Sequence, residues 1–158
     1  MKHFLVLLLL LNAAFAFSQT KKNSSGDPWA GTFKLDTAKS KFSGPAPKEE
    51  MVTVDAANKD SVKYTIKGTD SDNKSYTISY DGKVGTPSSQ TLDGKEVAQI
   101  TYQMPSSHQF TSEAKGGDGS SSNGTIILSR DNKTITVREH SKDAKGAARE
   151  QTAVYTRQ

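Results

Sequence analysis

Trp29-Ala30-Gly31-Thr32-Phe33-Lys34-Leu35 is a stretch in which large apolar side chains alternate with small or polar ones. Alternation with a period of two predicts a β-strand that has one face against a core. Similar short runs follow along the chain, separated by Gly, Asp, Asn and Ser, and the last of them ends at Tyr155. The chain therefore predicts an all-β domain whose final strand closes against its first.

About nine alternating runs predict the strands. They span residues 29–35, 51–55, 62–67, 76–80, 97–104, 108–115, 125–129, 133–140 and 150–156. The polar turns between them need no parallel crossover, so an antiparallel up-and-down β-barrel is the simplest topology. Residues 84–91 contain Pro87 and few apolar side chains, and we interpret them as a long loop. The pattern leaves open which face of residues 126–128 points inward.

Residues 1–18 have the layout of a secretory signal peptide: a basic start, an apolar run and then small residues. Cleavage after Ala16 and cleavage after Ser18 both fit this layout. The apolar run is far shorter than the roughly 20 residues that span a bilayer, so we expect no membrane span. Residues 19–27 lack apolar side chains and are predicted to be a flexible leash, which leaves residues 28–158 for the barrel domain.

Composition narrows the class of protein further. The chain has no cysteine, so it forms no disulfide, and an exported protein of this kind is typical of the bacterial periplasm or extracellular space. Its net charge is +4, with basic and acidic residues interleaved, and no basic cluster predicts a nucleic-acid partner. Apolar residues make up 33% of the chain, and many of them lie in the leader. The rest of the chain has few apolar residues to fill a core, which favours a barrel that encloses a cavity.

The segment after the first strand predicts an end of the barrel without a helical lid. Asp36 is a typical N-cap for a single turn over residues 37–41, and Phe42 is expected to pin that turn to the mouth or floor of the barrel. Pro45 and Pro47 prevent the segment from continuing as a helix.

Residues 29–35 resemble the opening of the calycins, the superfamily that joins lipocalins with intracellular fatty-acid-binding proteins. Fatty-acid-binding proteins open with an aromatic residue, one further residue and then Gly-Thr-Trp-Lys-Leu. The matching residues are Gly31, Thr32, Lys34 and Leu35. The lipocalin form, Gly-x-Trp, places its tryptophan at the position of Phe33. Lipocalins usually hold a basic side chain against that tryptophan, and the resemblance implies this place for Arg157 or Arg149.

The mature chain also resembles a family of bacterial secreted proteins of unknown function that are described as lipocalin-like. The similarity lies in residues 29–36, 38–42, 131–137 and 154–155. It implies the barrel fold and no particular chemistry.

The last strand departs from the fatty-acid-binding pattern. Those proteins hold the ligand carboxylate with an Arg-x-Tyr pair, and here Tyr155 matches the tyrosine while Ala153 stands at the arginine position. A lone tyrosine donates a hydrogen bond to a carboxylate but does not neutralise it. The resemblance therefore implies the barrel without that carboxylate site.

Eight aromatic side chains fall mostly on the predicted inward faces. They are Trp29, Phe33, Tyr64, Tyr76, Tyr80, Tyr102, Phe110 and Tyr155. Two interpretations stay open at this point. The rings fill a small core, with the hydroxyls bonded to backbone or water, or they line a ligand cavity.

Groups for catalysis or metal binding are sparse. His108 and His140 lie on separate predicted strands with no carboxylate at a ligand spacing, so we predict no metal site and no cofactor. No nucleophile motif or phosphate-binding loop is present. The residues that would have to converge inside the barrel for catalysis are His108, His140, Arg138 and Glu139.

The sequence thus favours a secreted or periplasmic β-barrel that binds a small hydrophobic or amphipathic ligand without catalysis. The alternative is a structural or interaction module of the cell envelope, acting on an unknown protein partner through its surface loops. The loops concerned are residues 84–94, 116–124 and 141–148.

Overall fold

A computed structural model describes residues 26–158, and these form ten antiparallel strands with no helix. The strands are β1 (Gly31–Leu35), β2 (Glu49–Ala57), β3 (Ser61–Thr69), β4 (Ser75–Lys83), β5 (Ser88–Leu92), β6 (Lys95–Ser106), β7 (Gln109–Gly116), β8 (Ser121–Leu128), β9 (Thr134–Lys142) and β10 (Ala148–Arg157). Each strand pairs with its neighbours in sequence, and β1 pairs with β10 to close the barrel. The predicted antiparallel up-and-down barrel is confirmed. The predicted signal peptide and most of the leash lie outside the described residues.

The alternation read from the sequence sets the inward faces of the strands. On β3 and β4, Tyr64 pairs with Tyr80 and Ile66 pairs with Ile78, all on the inner face. The flanking Lys63 and Lys67 of β3 are exposed. Burial of these apolar faces on one side of the sheet drives its closure. The buried apolar side chains are Trp29, Phe33, Leu35, Val54, Ala57, Val62, Tyr80, Ile100, Phe110, Leu128, Ile135, Ala153 and Tyr155.

The interpretation of residues 84–91 as a long loop is wrong. β5 (Ser88–Leu92) occupies part of this stretch and pairs with both β4 and β6, so the strands number ten. Backbone hydrogen bonds form this strand, and its inward side chain is the polar Gln90, which lines the interior. A strand without apolar alternation gives no period-two signal, which is why it was missed.

The structure settles the facing of residues 126–128, which the alternation left open, and shows a bulge on β2. Ile126 and Leu128 point inward, whereas Ile127 is 36% exposed on the outer face. On β2 the pairing register shifts between Val54 and Ala56, and this bulge brings Ala57 to the inner face alongside Val54.

Trp29 closes one end of the barrel, which we call the floor. It is 2% exposed, and its indole N–H donates to the backbone carbonyl of Ser107 at 2.9 Å. Asp27, the last residue of the predicted leash, fixes the entry to this end. Its carboxylate accepts hydrogen bonds from the backbone N–H groups of Trp29 at 2.9 Å and Ala57 at 2.7 Å.

Arg157 seals the outside of the floor and takes the place that the lipocalin resemblance implied for Arg157 or Arg149. Its guanidinium carbon lies 4.3 Å from the ring centroid of Phe33, a cation–π distance. Three backbone carbonyls accept its N–H groups, each at 2.6 Å, and they belong to Pro28, Ala30 and Asn132. A Cβ atom at Gly31 would collide with the guanidinium, and the φ of +139° at this residue also favours glycine.

The opposite end, which we call the mouth, is bordered by residues 36–48 without a helix. Asp36 accepts a hydrogen bond from Lys39 N–H at 3.2 Å, which closes one short turn. Lys41 then forms an isolated antiparallel bridge with Thr152 of β10. The expected absence of a helical lid in this segment is confirmed by its backbone path. No helix long and apolar enough to cross a membrane occurs within residues 26–158.

Candidate functional site

The interior of the barrel is a cavity of about 730 Å³ that opens at the mouth. Its deep wall is apolar and runs from Trp29 and Phe110 at the floor to Phe42, Pro45 and Pro47 at the rim. A volume of this size lies within the range of small-molecule sites, roughly 300–1,000 Å³. The low apolar content of the sequence is therefore consistent with an interior that encloses a cavity instead of a filled core.

Six of the eight aromatic candidates line this cavity. They are Trp29, Tyr64, Tyr76, Tyr102, Phe110 and Tyr155. Phe33 and Tyr80 do not line it. Phe33 is fully buried beneath Arg157. Tyr80 is 2% exposed and donates its hydroxyl to the Ile100 carbonyl at 3.2 Å.

Five of the aromatic rings form one connected cluster that rises from the floor. Trp29 and Phe110 meet edge to face with centroids 5.2 Å apart, and Phe110 meets Tyr102 at 6.3 Å. Tyr80 lies behind Tyr102 at 5.0 Å and stacks on Tyr64 at 5.6 Å. Such pairs fix ring orientation, so the cavity wall is preformed.

A hydrogen-bonded chain of polar groups crosses one side of this wall. Gln90 donates its amide N–H to the Tyr64 hydroxyl at 2.8 Å, and the hydroxyls of Tyr64 and Tyr102 lie 3.0 Å apart. Burial raises the pKa of Tyr64 and raises that of Tyr102 well above its ordinary value. Both phenols therefore stay neutral and act as hydrogen-bonding groups.

Glu50 is a site residue that sequence reasoning missed. Glu50 lines the cavity and is 8% exposed. Among residues 26–158, no other polar or charged residue is buried to this extent. Tyr155 donates its hydroxyl to one carboxylate oxygen of Glu50 at 2.5 Å, and Tyr76 donates to the other. The signal was available, because Glu50 shares the alternation phase of Val52 and Val54 on β2. The adjacent Glu49 made the pair resemble an exposed acidic surface.

The glycine opposite Glu50 makes this arrangement possible. Gly68 on β3 pairs with Glu50 on one side and with Tyr76 on the other, so the Tyr76 ring reaches Glu50 by passing over it. A Cβ atom at Gly68 would lie 2.5 Å from the Tyr76 phenol carbon and oxygen and 2.9 Å from the Glu49 carbonyl oxygen. These distances are too short for any side chain to be accepted without movement.

We expect Gly68→Ala to lower the free energy of unfolding by about 1–3 kcal/mol, because the methyl group displaces Tyr76 from Glu50 and presses on backbone. Urea denaturation of the purified protein measures the change. Gly117→Ala is the control, since a Cβ atom there meets nothing within 4 Å; its effect should stay within about 0.5 kcal/mol. Equal stabilities of the two variants would contradict the close packing at Gly68.

The acidic and basic side chains that line the cavity differ in how exposed they are. Glu50 is buried, and Glu139 is half-buried and accepts a hydrogen bond from Gln151 at 2.9 Å. The two basic side chains of the lining, Lys142 and Arg149, are exposed at the mouth. The buried and half-buried charged groups of the lining, Glu50, Glu139 and Asp143, are therefore all acidic, whereas its basic side chains are exposed.

The four residues that an enzyme would have brought together do not converge. His140 is exposed and lies 3.1 Å from Glu150 on the outer face, and Arg138 is also exposed. His108 sits in the β6–β7 turn, 3.0 Å from the Ser107 hydroxyl, and only Glu139 lines the cavity. Over the span 26–158, no cluster of three or more His, Asp or Glu side chains is placed to hold a metal ion.

Comparison with solved structures yields β-barrels. Zebrafish ileal bile acid-binding protein complexed with cholic acid has a TM-score of 0.53 and 10% sequence identity, covering 83% of this chain and 99% of its own. EF1p2_mFAP2b bound to DFHBI has a TM-score of 0.51 and 12% identity, covering 83% and 94%. A redesigned β-barrel, b11L5F_LGL, has a TM-score of 0.50 and 11% identity, covering 83% and 92%. The fold is a calycin-like β-barrel. No protein-family model and no curated protein matches the sequence.

The calycin-like barrel of this chain lacks the carboxylate site of fatty-acid-binding proteins. Ala153 is buried at the position where that pattern has arginine, and the hydroxyl of Tyr155 is already donated to Glu50. An acidic group thus stands beside the tyrosine where the resemblance would place a ligand anion. This reversal of charge is the main chemical difference between this cavity and the pattern that its first strand resembles.

Proposed function

We propose that this protein is an exported, non-catalytic binding protein that holds a small, mostly apolar ligand inside its barrel. The observation that carries the proposal is the preformed cavity of about 730 Å³, open at one end and lined by apolar and aromatic side chains. Polar groups interrupt the apolar wall, among them Glu50, Gln90 and the tyrosine hydroxyls, and serine and charged side chains complete the lining. This composition is typical of sites for small amphipathic molecules.

The similar solved structures support binding inside the barrel only because they share its fold. Two of the similar barrels hold small molecules, cholic acid in one and DFHBI in the other. Export rests on the signal-peptide pattern of residues 1–18. The absence of turnover is proposed because His108, His140 and Arg138 lie away from the cavity, so that only Glu139 of the four residues considered for catalysis lines it.

Ligand binding inside the barrel is tested with a variant that fills the cavity. Ala114 lines the cavity on β7, and Ala114→Phe adds a ring to the interior. The matched control, Glu113→Phe, adds the same ring to the exposed outer face of the same strand. Titration calorimetry with a panel of fatty acids, alkylamines, sterols and aromatic compounds measures binding. Mass spectrometry of organic extracts identifies ligands that co-purify with the native protein.

We expect at least one class of compound to bind the native protein and Glu113→Phe equally. Its affinity for Ala114→Phe should fall by roughly tenfold or more, because the added ring occupies ligand space. Absence of any binding and of any co-purified molecule would refute the proposal. If Ala114→Phe bound the ligand with unchanged affinity, the binding site would lie on the surface loops, in agreement with the alternative of an interaction module.

A further inference from the structure

We infer that the cavity selects a cationic amphiphile, such as an alkylamine or a quaternary alkylammonium, whose positive head lies against Glu50. The inference rests on the proposed function and specifies the chemistry of its ligand. It is opposite in charge to the carboxylate ligand that the first-strand resemblance implied.

The buried carboxylate of Glu50 forms no ion pair with any of residues 26–158. A buried carboxylate is costly unless it is paired with a cation or fully hydrogen-bonded. The four ion pairs formed by residues 26–158 all lie elsewhere, at Asp36, Asp60, Asp81 and Glu150. The two partners of Glu50 are neutral phenols, which share its charge by hydrogen bonding but do not cancel it.

Glu50 also retains the capacity to accept further hydrogen bonds. Burial first, and the nearby Glu50 carboxylate next, raise the pKa of Tyr76 and Tyr155 far above the ordinary value of a phenol. Both phenols keep their protons and donate, so each Glu50 oxygen uses one lone pair and has another available. A ligand N–H or a positively charged methyl group fits this free acceptor. A ligand carboxylate would meet a like charge instead.

Aromatic rings line the cavity together with Glu50. Tyr64, Tyr76, Tyr102 and Tyr155 all line the cavity, and the electron-rich faces of such rings attract ammonium groups, most strongly where water is excluded. Apolar side chains at the floor, with Trp29 and Phe110 in contact, offer a surface for an alkyl tail. The basic Lys142 and Arg149 are exposed at the mouth, where solvent screens their repulsion of an entering cation.

The test compares three ligands of one chain length on the full mature chain: decyltrimethylammonium, decanoate and decanol. Titration calorimetry below the micelle concentration gives each affinity. The variant is Glu50→Gln, which keeps the shape of the side chain and can still bond both tyrosine hydroxyls while losing the charge. The control is Glu49→Gln, which removes the same charge from the exposed neighbouring position on β2.

We expect the ammonium to bind at least about tenfold more tightly than decanoate. Glu50→Gln should reduce this preference by about tenfold while changing the decanol affinity less than twofold, and Glu49→Gln should leave both unchanged. Tighter binding of decanoate, or a preference that survives Glu50→Gln, would overturn the inference and leave Glu50 as a structural tie between two strands. If Glu50→Gln does not fold, the inference is tested by the native protein alone, through its relative affinities for the ammonium and for decanoate. Failure of all three ligands to bind counts against the proposed function itself, whereas equal binding of all three contradicts only the cationic preference.

Discussion

Replacing Arg157 with alanine is expected to lower the free energy of unfolding by about 3 kcal/mol or more. The guanidinium satisfies three backbone carbonyls at the floor, each at 2.6 Å, and covers the fully buried Phe33 ring. Burial lowers the pKa of Arg157 and Asp27 opposes this, yet an arginine stays charged at neutral pH. Truncation leaves three oriented carbonyls without their donor and exposes an aromatic ring to water.

Urea denaturation followed by the fluorescence of Trp29, the only tryptophan, measures this loss. Arg130→Ala is the matched control, because Arg130 is exposed in the β8–β9 turn at the same end of the barrel. Its effect should stay within about 0.5 kcal/mol. Arg157→Lys should lie between the two, since an ammonium group keeps the charge but cannot reach three carbonyls in a fixed fork. If Arg157→Ala were as stable as the Arg130 control, the guanidinium would not be what holds the floor closed.

Much of the fold could be predicted because the inward and outward faces of the strands differ in polarity. The alternation at Tyr64 and Ile66 on β3, and at Tyr76 and Ile78 on β4, predicts the faces that the structure shows. β5 could not be predicted in this way, since Gln90 is polar although it points inward. The number of strands therefore depends on backbone pairing that leaves no apolar period in the sequence.

The candidate site was predictable in its aromatic part but not in its charge. Six of the eight predicted aromatic side chains line the cavity, because a ring on the inward face of a barrel strand points into the interior. Glu50 was missed because an acidic residue is almost always exposed, and its burial depends on two tyrosines that come from distant strands. Gly68 shows the same limit, since its role appears only when Glu50 and Tyr76 flank it across three strands.

Alkaline pH is expected to lower the free energy of unfolding of this barrel from about pH 10 upward, and to unfold it cooperatively at higher pH. All five tyrosines have raised pKa values, and burial is the largest cause for each of them. In the unfolded chain a phenol releases its proton with a pKa of about 10. Above that pH the unfolded state binds fewer protons than the folded state, so the free energy of unfolding falls as the pH rises. The contribution is complete below about pH 10 and is lost above it.

The size of the effect follows from two phenols whose pKa values are strongly raised. Tyr102 and Tyr155 have pKa values raised well above the ordinary value, and each should remove about 1.4 kcal/mol for each pH unit above about 10. The two alone cost roughly 3 kcal/mol near pH 11, a large share of the 5–15 kcal/mol that stabilises an ordinary domain. Tyrosinate absorbance should therefore rise together with the loss of the circular dichroism of the strands. Tyr155→Phe removes one of these phenols and should reduce the slope of stability against pH by about 1.4 kcal/mol per unit. Tyrosines that ionised near pH 10 while the barrel stayed folded would show instead that water reaches these hydroxyls, and would contradict the burial that raises their pKa values.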